Sequence, residues 1–471
     1  MVQVNQVSDV SSKLLVLNVV GLSPKHIGEH TPHLKKLSER GVKTHIHSMI
    51  PAVTCSVQTT YFTGTTPAQH GIVANGWYFR DQSEIRFWHQ SNHLIQAPQI
   101  WTEIKNNNSG LKTANIFCWY NMYCPADTAI TVRPMYPSDG RKLPDIYTSP
   151  SALRHTLNDK LGTFPLFNFW GPKSSIVSSQ WIADAAQFTI ENEQPNFVTV
   201  YLPHLDYAMQ KVGPDHPSIC QELCDIDKVC GQLIELAEAN NYRVIVLSEY
   251  GIQKVSRPCH LNRLFRDAGW LTVRDELGLE LLDVGASKVF AVADHQVAHI
   301  YVQDENLLPK VQALLEQQSD IELVLDERGK QKYGLNHTRS GEFIVIAKPN
   351  AWFSYYYWQD DARAPDFARC VDIHRKPGYD PVELFVDPSI KFPLLKVASK
   401  LIQKKLGFRY LMDLIPLDAT LVRGSHGALV SDPLQGAIFI ASDGAMVADV
   451  DLQQGIPATQ VFDVLLQGVV A

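Results

Sequence analysis

Short, continuous apolar runs alternate along this chain with longer stretches whose apolar residues recur at helical spacing. LLVLNVV (14–20), NFVTVYLP (196–203) and YRVIVLSE (242–249) have the length and content of strands buried on both faces of a parallel sheet. Between the last two, SICQELCDIDKVCGQLIELAEAN (218–240) carries a helical period. Thr31-Pro32 supplies a start and Gly41 a stop for a helix over 32–40. Near the end, GAIFIASDG and then ATQVFDVLLQGVV predict a last strand and helix. Strands alternating with helices predict an α/β fold: a doubly wound, mainly parallel sheet with helices on both faces.

Two stretches break the rhythm. Residues 76–185 are rich in Trp, Tyr, Asn and Pro, and residues 325–420 carry the aromatic run Trp352 to Trp358 and the loop His374 to Tyr379. The expected organisation is therefore an α/β core at 1–75 and 186–324, inserted cap segments at 76–185 and 325–420, and a core return at 421–471.

Composition narrows the function classes. The 471 residues are 45% apolar and 19% charged, as in an ordinary globular protein, and the length allows a large core. A net charge of −7 with no basic block argues against a nucleic-acid polymer as partner. No apolar run is long enough to span a bilayer, so no membrane partner is expected. The N-terminal residues lack a charged region ahead of an apolar one, and eight cysteines in so long a chain do not make a disulfide framework. A cytoplasmic protein is expected. Cys220, Cys224 and Cys230 read as thiols of one helix.

The chemistry concentrates in PAVTCSVQTTYFTGTTPAQHGIVAN (51–75). Thr54 stands just ahead of a helix-compatible run, where the helix dipole and free N–H groups suit an anion. A threonine in that place ordinarily serves as an N-cap. Ligands of open α/β sheets bind beyond the carboxyl ends of the strands. That rule selects Asn18 or Val20 after the first strand, His204 and Asp206 after the second, and Glu249 and Tyr250 after the third. Two carboxylates beside a helix-terminal hydroxyl are suited to a hard cation. Asp294-His295, His299 and Asp372-x-His374 are weighed as structural, with His374-Arg375-Lys376 a solvated loop that can meet a substrate phosphate. His45 and His47 receive no role, and the run 352–358 reads as core packing.

The segment as a whole resembles the nucleophile region of the type I phosphodiesterase/nucleotide pyrophosphatase family, within the alkaline phosphatase superfamily. The matching residues are Thr54, Thr63-Gly64, Pro67, His70-Gly71-Ile72 and Asn75. The resemblance implies an alkaline-phosphatase-like fold and hydrolysis of a phosphodiester or pyrophosphate through a covalent phospho-threonine at Thr54. It also implies divalent metal ions, usually two zincs, on either side of the phosphoryl group. Asp206 and His426 match two of the family's metal ligands, and a small phosphorylated substrate is the implied partner.

Other positions depart from the pattern. Val20 stands where an early Asp is expected, leaving Asn18 as the nearest polar residue on that strand face. Gln210 replaces a histidine, and Glu249-Tyr250 replaces an Asp-His pair. The implied metal set is then Asp206, Glu249, His426 and Asn18, with Gln210, Tyr250, Asn75 and His374 in contact with substrate or ligands. Mostly oxygen donors move the preference from zinc toward magnesium or manganese, and one ion is expected rather than two. The alternative is a catalytically weakened relative that binds a phosphorylated metabolite. A sulfatase is disfavoured because Cys55-Ser56-Val57-Gln58 lacks the x-Pro-x-Arg that follows a sulfatase nucleophile. A phosphomutase rests on fold alone.

Overall fold

Each of the three long apolar runs becomes an inner strand of one sheet. The structure is a computed structural model describing residues 13–138, 141–448 and 450–470. The N-terminal residues read for a signal peptide lie outside the described residues up to position 12. In chain order the main sheet begins with β1 (Lys13–Val19), β2 (Val42–Ile46), β3 (Thr113–Ile116), β4 (Thr128–Val132) and β5 (Ile146–Ser149). It continues with β6 (Phe197–Leu202) and β7 (Tyr242–Leu247). The chain then builds a second, four-stranded antiparallel sheet from β8 (Val289–Asp294), β9 (Val297–Val302), β10 (Ile321–Leu325) and β11 (Phe343–Ala347). It returns to the first sheet with β12 (Ala437–Ala441).

The main sheet runs β2-β12-β7-β1-β6-β3-β4-β5. β1 lies parallel to both β6 and β7, and β3 is parallel to β6 and β4. The antiparallel pairs of this sheet are β2 with β12, β12 with β7 and β4 with β5. A strand with partners on both edges and helices on both faces has no wet side, which is why 14–20 shows no alternation. Among the helices are α1 (Pro32–Arg40), α2 (Thr54–Thr63), α3 (Ile176–Glu193), α4 (His204–Val212), α5 (Ile219–Ala239), α6 (Pro393–Lys405) and α7 (Val461–Val470). The doubly wound architecture follows.

Residues 113–149, expected in an inserted segment, supply three strands of the main sheet. TANI and TAITV carry Thr and Asn among few apolar residues, so neither reads as a continuous run. The second sheet spans 289–347, across the boundary expected at 324, and packs its own core with the aromatic run 352–358.

Register positions the site. Asn18 lies level with Tyr201 on β6 and Leu247 on β7. Its side chain thus meets the places where those strands hand over to Asp206 and Glu249.

Candidate active site

Thr54 is the first residue of α2, and Val53 in extended backbone takes the N-cap position expected for the threonine. Freed from capping, the Thr54 hydroxyl lies 2.9 Å from the Tyr250 hydroxyl. All ten residues of α2 are buried, because the helix runs in beneath the strand ends. Asn75 anchors its start, accepting a hydrogen bond from the Cys55 N–H at 2.9 Å. Asn75 also donates to Asp294 from its backbone N–H (2.8 Å) and its amide (3.1 Å).

Glu249 follows β7 and is buried. Its Oε1 accepts the amides of Asn18 and Gln58, each at 2.6 Å. Burial pushes its carboxyl up to about 8, with the hydrogen bonds from Gln58 and Asn18 opposing that rise. Asp206 sits in the first turn of α4, where its Oδ2 accepts the Gln210 amide at 2.8 Å. Burial raises it to about 7, against the hydrogen bond of Gln210. Gln210 in turn accepts from the Tyr379 hydroxyl at 3.0 Å.

His426 closes the site from a loop after the short strand Gly424–Ser425. Its Nδ1 donates to the Ala52 carbonyl at 2.7 Å, and its Nε2 lies 3.8 Å from Asp206 Oδ1. A column of rings runs through it: Tyr250 stacks on His426 (3.6 Å between centroids), His426 meets His295 (3.7 Å), and His295 stacks on Tyr379 (3.6 Å). Burial holds both imidazoles well below their ordinary pKa.

Thr54, Asn18, Asp206, Gln210, Glu249, Tyr250, Asn75 and His426 therefore belong to one connected, buried cluster. His374 does not contact that cluster. Its Nδ1 lies 3.4 Å from the Phe87 carbonyl, and it lines a cavity of about 570 Å³ with Arg86, Arg274 and Arg375. His204 faces Glu222 at 2.8 Å.

Three further residues complete the cluster. Gln58 lies one helical turn after Thr54 and bridges Glu249 to the Trp119 N–H. His295 occupies the tight turn between β8 and β9, at φ 61°, and donates to or accepts from Asp294 at 2.7 Å. Its pairing with His299 as one strand was the expectation, but the hairpin puts the two in different environments. The Asp-His dipeptide ahead of an apolar strand was the available clue. Tyr379 comes from a loop after the second sheet, beside the half-buried Trp170 and Trp88.

The donor set can be tested against the two-zinc centre that the resemblance implies. Asp206 Oδ1, Glu249 Oε2, Asn18 Oδ1 and His426 Nε2 are buried without a hydrogen-bond partner. Yet among the described residues no three His, Cys, Asp or Glu side chains converge closely enough to hold an ion. Amide groups occupy Glu249 Oε1 and Asp206 Oδ2, and a tyrosine hydroxyl faces Thr54. Zinc prefers imidazole, thiolate or carboxylate, so these residues do not fit two zinc ions.

The family model for type I phosphodiesterase/nucleotide pyrophosphatase matches residues 14–380, and the chain belongs to that family. A Schizosaccharomyces pombe relative, named as an uncharacterized pyrophosphatase/phosphodiesterase, is 23% identical over 260 residues, covering 52% of this chain and 46% of the relative. The chain thus matches about half the length of that curated relative. Among solved structures, phosphonoacetate hydrolase from Sinorhizobium meliloti with phosphonoformate superposes with a TM-score of 0.63 at 15% identity, covering 98% of this chain and 96% of that one. An inactive form of murine ectonucleotide pyrophosphatase/phosphodiesterase 5 with AMP gives 0.59 at 15% identity, with 97% and 95% covered. At such identity these two establish the shared fold.

Proposed function

We propose that this chain is a phosphoester hydrolase acting on a small phosphodiester or pyrophosphate, with Thr54 as nucleophile. The observation that carries the reading is the pairing of Thr54 with Tyr250 at the N-terminus of a buried helix. The positive end of the α2 dipole suits the phosphoryl oxygens. In this reading the threonine proton passes to the Tyr250 hydroxyl, and the Tyr250 proton to the carboxylate of Asp206, which shares the cluster through His426. Thr54 Oγ then forms the bond to phosphorus as the bond from phosphorus to the leaving oxygen breaks, and that oxygen takes its proton from solvent water. Water attacks the phospho-threonine and releases phosphate or a monoester, and Thr54 recovers its proton by the same path. The phosphonoformate and AMP of the two structural neighbours are small phosphorus oxyanions of the size this reading requires.

No step is assigned to a metal ion, because the donors present do not fit the two-ion centre. At most one ion, at Asp206 and His426 with help from Glu249, is compatible with the unpaired atoms Asp206 Oδ1 and His426 Nε2. Magnesium or manganese would suit it as well as zinc. Elemental analysis of purified protein should find no more than one equivalent of divalent metal, and two tightly held zincs would refute this assignment. Turnover of an activated phosphodiester by wild type and Thr54→Ala tests the reaction. Loss of at least 100-fold is expected, and near-full turnover by the variant would remove Thr54 from the mechanism.

One observation favours a second reading. The amides of Asn18, Gln58 and Gln210 satisfy carboxylate oxygens that a metal would otherwise take. A relative that binds a phosphorylated metabolite without turnover would show ligand binding in calorimetry and no hydrolysis by wild type.

A further inference from the structure

The helix α6 presents its apolar side to solvent. None of its residues, PLLKVASKLIQKK, is buried. Leu394 is 81% exposed, Leu395 68% and Ile402 59%, and Phe392, Leu406 and Phe408 at its ends are 66–68% exposed. Positions 394, 395, 398, 401 and 402 follow the i, i+1, i+4, i+7, i+8 rule and so form one face.

The other side of the helix attaches it to the protein. Lys396 and Lys400 both reach Asp413, each at 2.9 Å, and Lys396 also donates to the Asp413 carbonyl at 2.6 Å. This inverts the usual arrangement of a surface helix, which buries its leucines and exposes its lysines. Charge is equally uneven. Between 391 and 409 the chain has six Lys or Arg and no Asp or Glu, within a molecule of net charge −7. Among the described residues no carboxylate forms an ion pair with Lys391, Lys404, Lys405 or Arg409.

We propose that α6 is a membrane-surface helix, docking the protein on an anionic lipid bilayer. Thirteen residues make a helix of roughly 20 Å, too short to cross a hydrocarbon core of about 30 Å. Such a helix lies in the interface, with Leu394, Leu395, Leu401 and Ile402 among the acyl chains and Lys and Arg heads at the lipid phosphates. The expectation of no membrane partner rested on span length, which an interfacial helix does not need. The choice of lipid over a protein surface follows from the charge: unpaired cations border the apolar face, complementary to an anionic leaflet.

Sedimentation of the full chain with vesicles tests the proposal. Wild type should bind vesicles of phosphatidylcholine mixed with phosphatidylglycerol at least ten-fold more tightly than phosphatidylcholine alone, and added salt should weaken that binding. A variant combining Leu394→Ser, Leu395→Ser and Ile402→Ser should lose vesicle binding at least ten-fold with an unchanged melting temperature, since these side chains are exposed. Lys404→Glu with Lys405→Glu should lose it as well. Equal sedimentation of wild type and the triple variant would overturn the proposal. So would wild type that ignores vesicles but forms a dimer, by light scattering, that the triple variant cannot form; the face would then join two copies of this chain.

Discussion

Tyr250 is the residue whose identity changes the chemistry most. Its hydroxyl takes the contact with Thr54 and its ring stacks on His426, so one side chain touches two of the residues that match the family pattern. Glu249 beside it offers a sharp test of whether a cation is present. Its folded pKa is raised to about 8, from 4.5, by burial. A raised pKa contributes stability that is complete below pH 4.5 and is lost as pH rises through 8. Glu249→Gln removes that titration, so the variant's melting temperature relative to wild type should be more favourable at pH 9 than at pH 5. A carboxylate held ionised by a bound metal would contribute equally at the two pH values and give no such trend, and thermal denaturation at both distinguishes them. Thr54, Asp206 and His426 were named as candidates from the family resemblance. Gln58 and Tyr379 were not, because each enters through a fold contact that no spacing announces, and His295 was weighed only as structural.

Among the elements, the strand β7 and its exit show how tightly the site is framed. Gly251 follows Tyr250 and makes a parallel bridge to Gly21 at the end of β1. A Cβ placed at Gly251 would lie 1.7 Å from the Gln435 carbonyl oxygen, a backbone atom that cannot swing aside. Gly251→Ala should therefore cost about 1–3 kcal/mol of stability or more and displace Tyr250. Chemical denaturation and diester turnover should both fall, and wild-type stability would show that the Gln435 loop moves freely. Apolar runs announced β1, β6 and β7, since buried parallel strands need no polar face. The edge side β3, β4 and β5 stayed hidden because short strands with Thr and Asn carry no such signal. The helical period at 393–405 was present in the chain, but period alone does not say which face turns outward.

For the whole molecule, buried titratable groups set the pH range of stability. His26, His260 and His299 are lowered to about 4 and His70 to about 3, chiefly by burial. A lowered histidine contributes stability that is present above 6.5 and lost as pH falls toward its folded value. Asp206, Glu249 and Asp294, raised to about 7, 8 and 6, act with the opposite sign. The two sets offset each other between about pH 4.5 and 6.5. Below that window only the histidines still change, and above it only Asp206 and Glu249. Melting temperature should show a broad maximum there and decline on both sides; a maximum above pH 8 would contradict the assignment of buried neutral carboxyls.

The amino-acid sequence by itself determined the doubly wound α/β class and the location of Thr54, because apolar runs and a helix start are local consequences of side-chain chemistry. It also exposed the missing imidazoles at Gln210 and Tyr250. Only the tertiary structure decided what replaces them. Long-range packing brings the hairpin turn at His295, the loop at Tyr379 and the helix residue Gln58 to the strand ends, where amides and hydroxyls satisfy groups left without their family partners. The outward face of α6 was decided the same way: its lysines found Asp413 on the protein, and its leucines were left facing solvent.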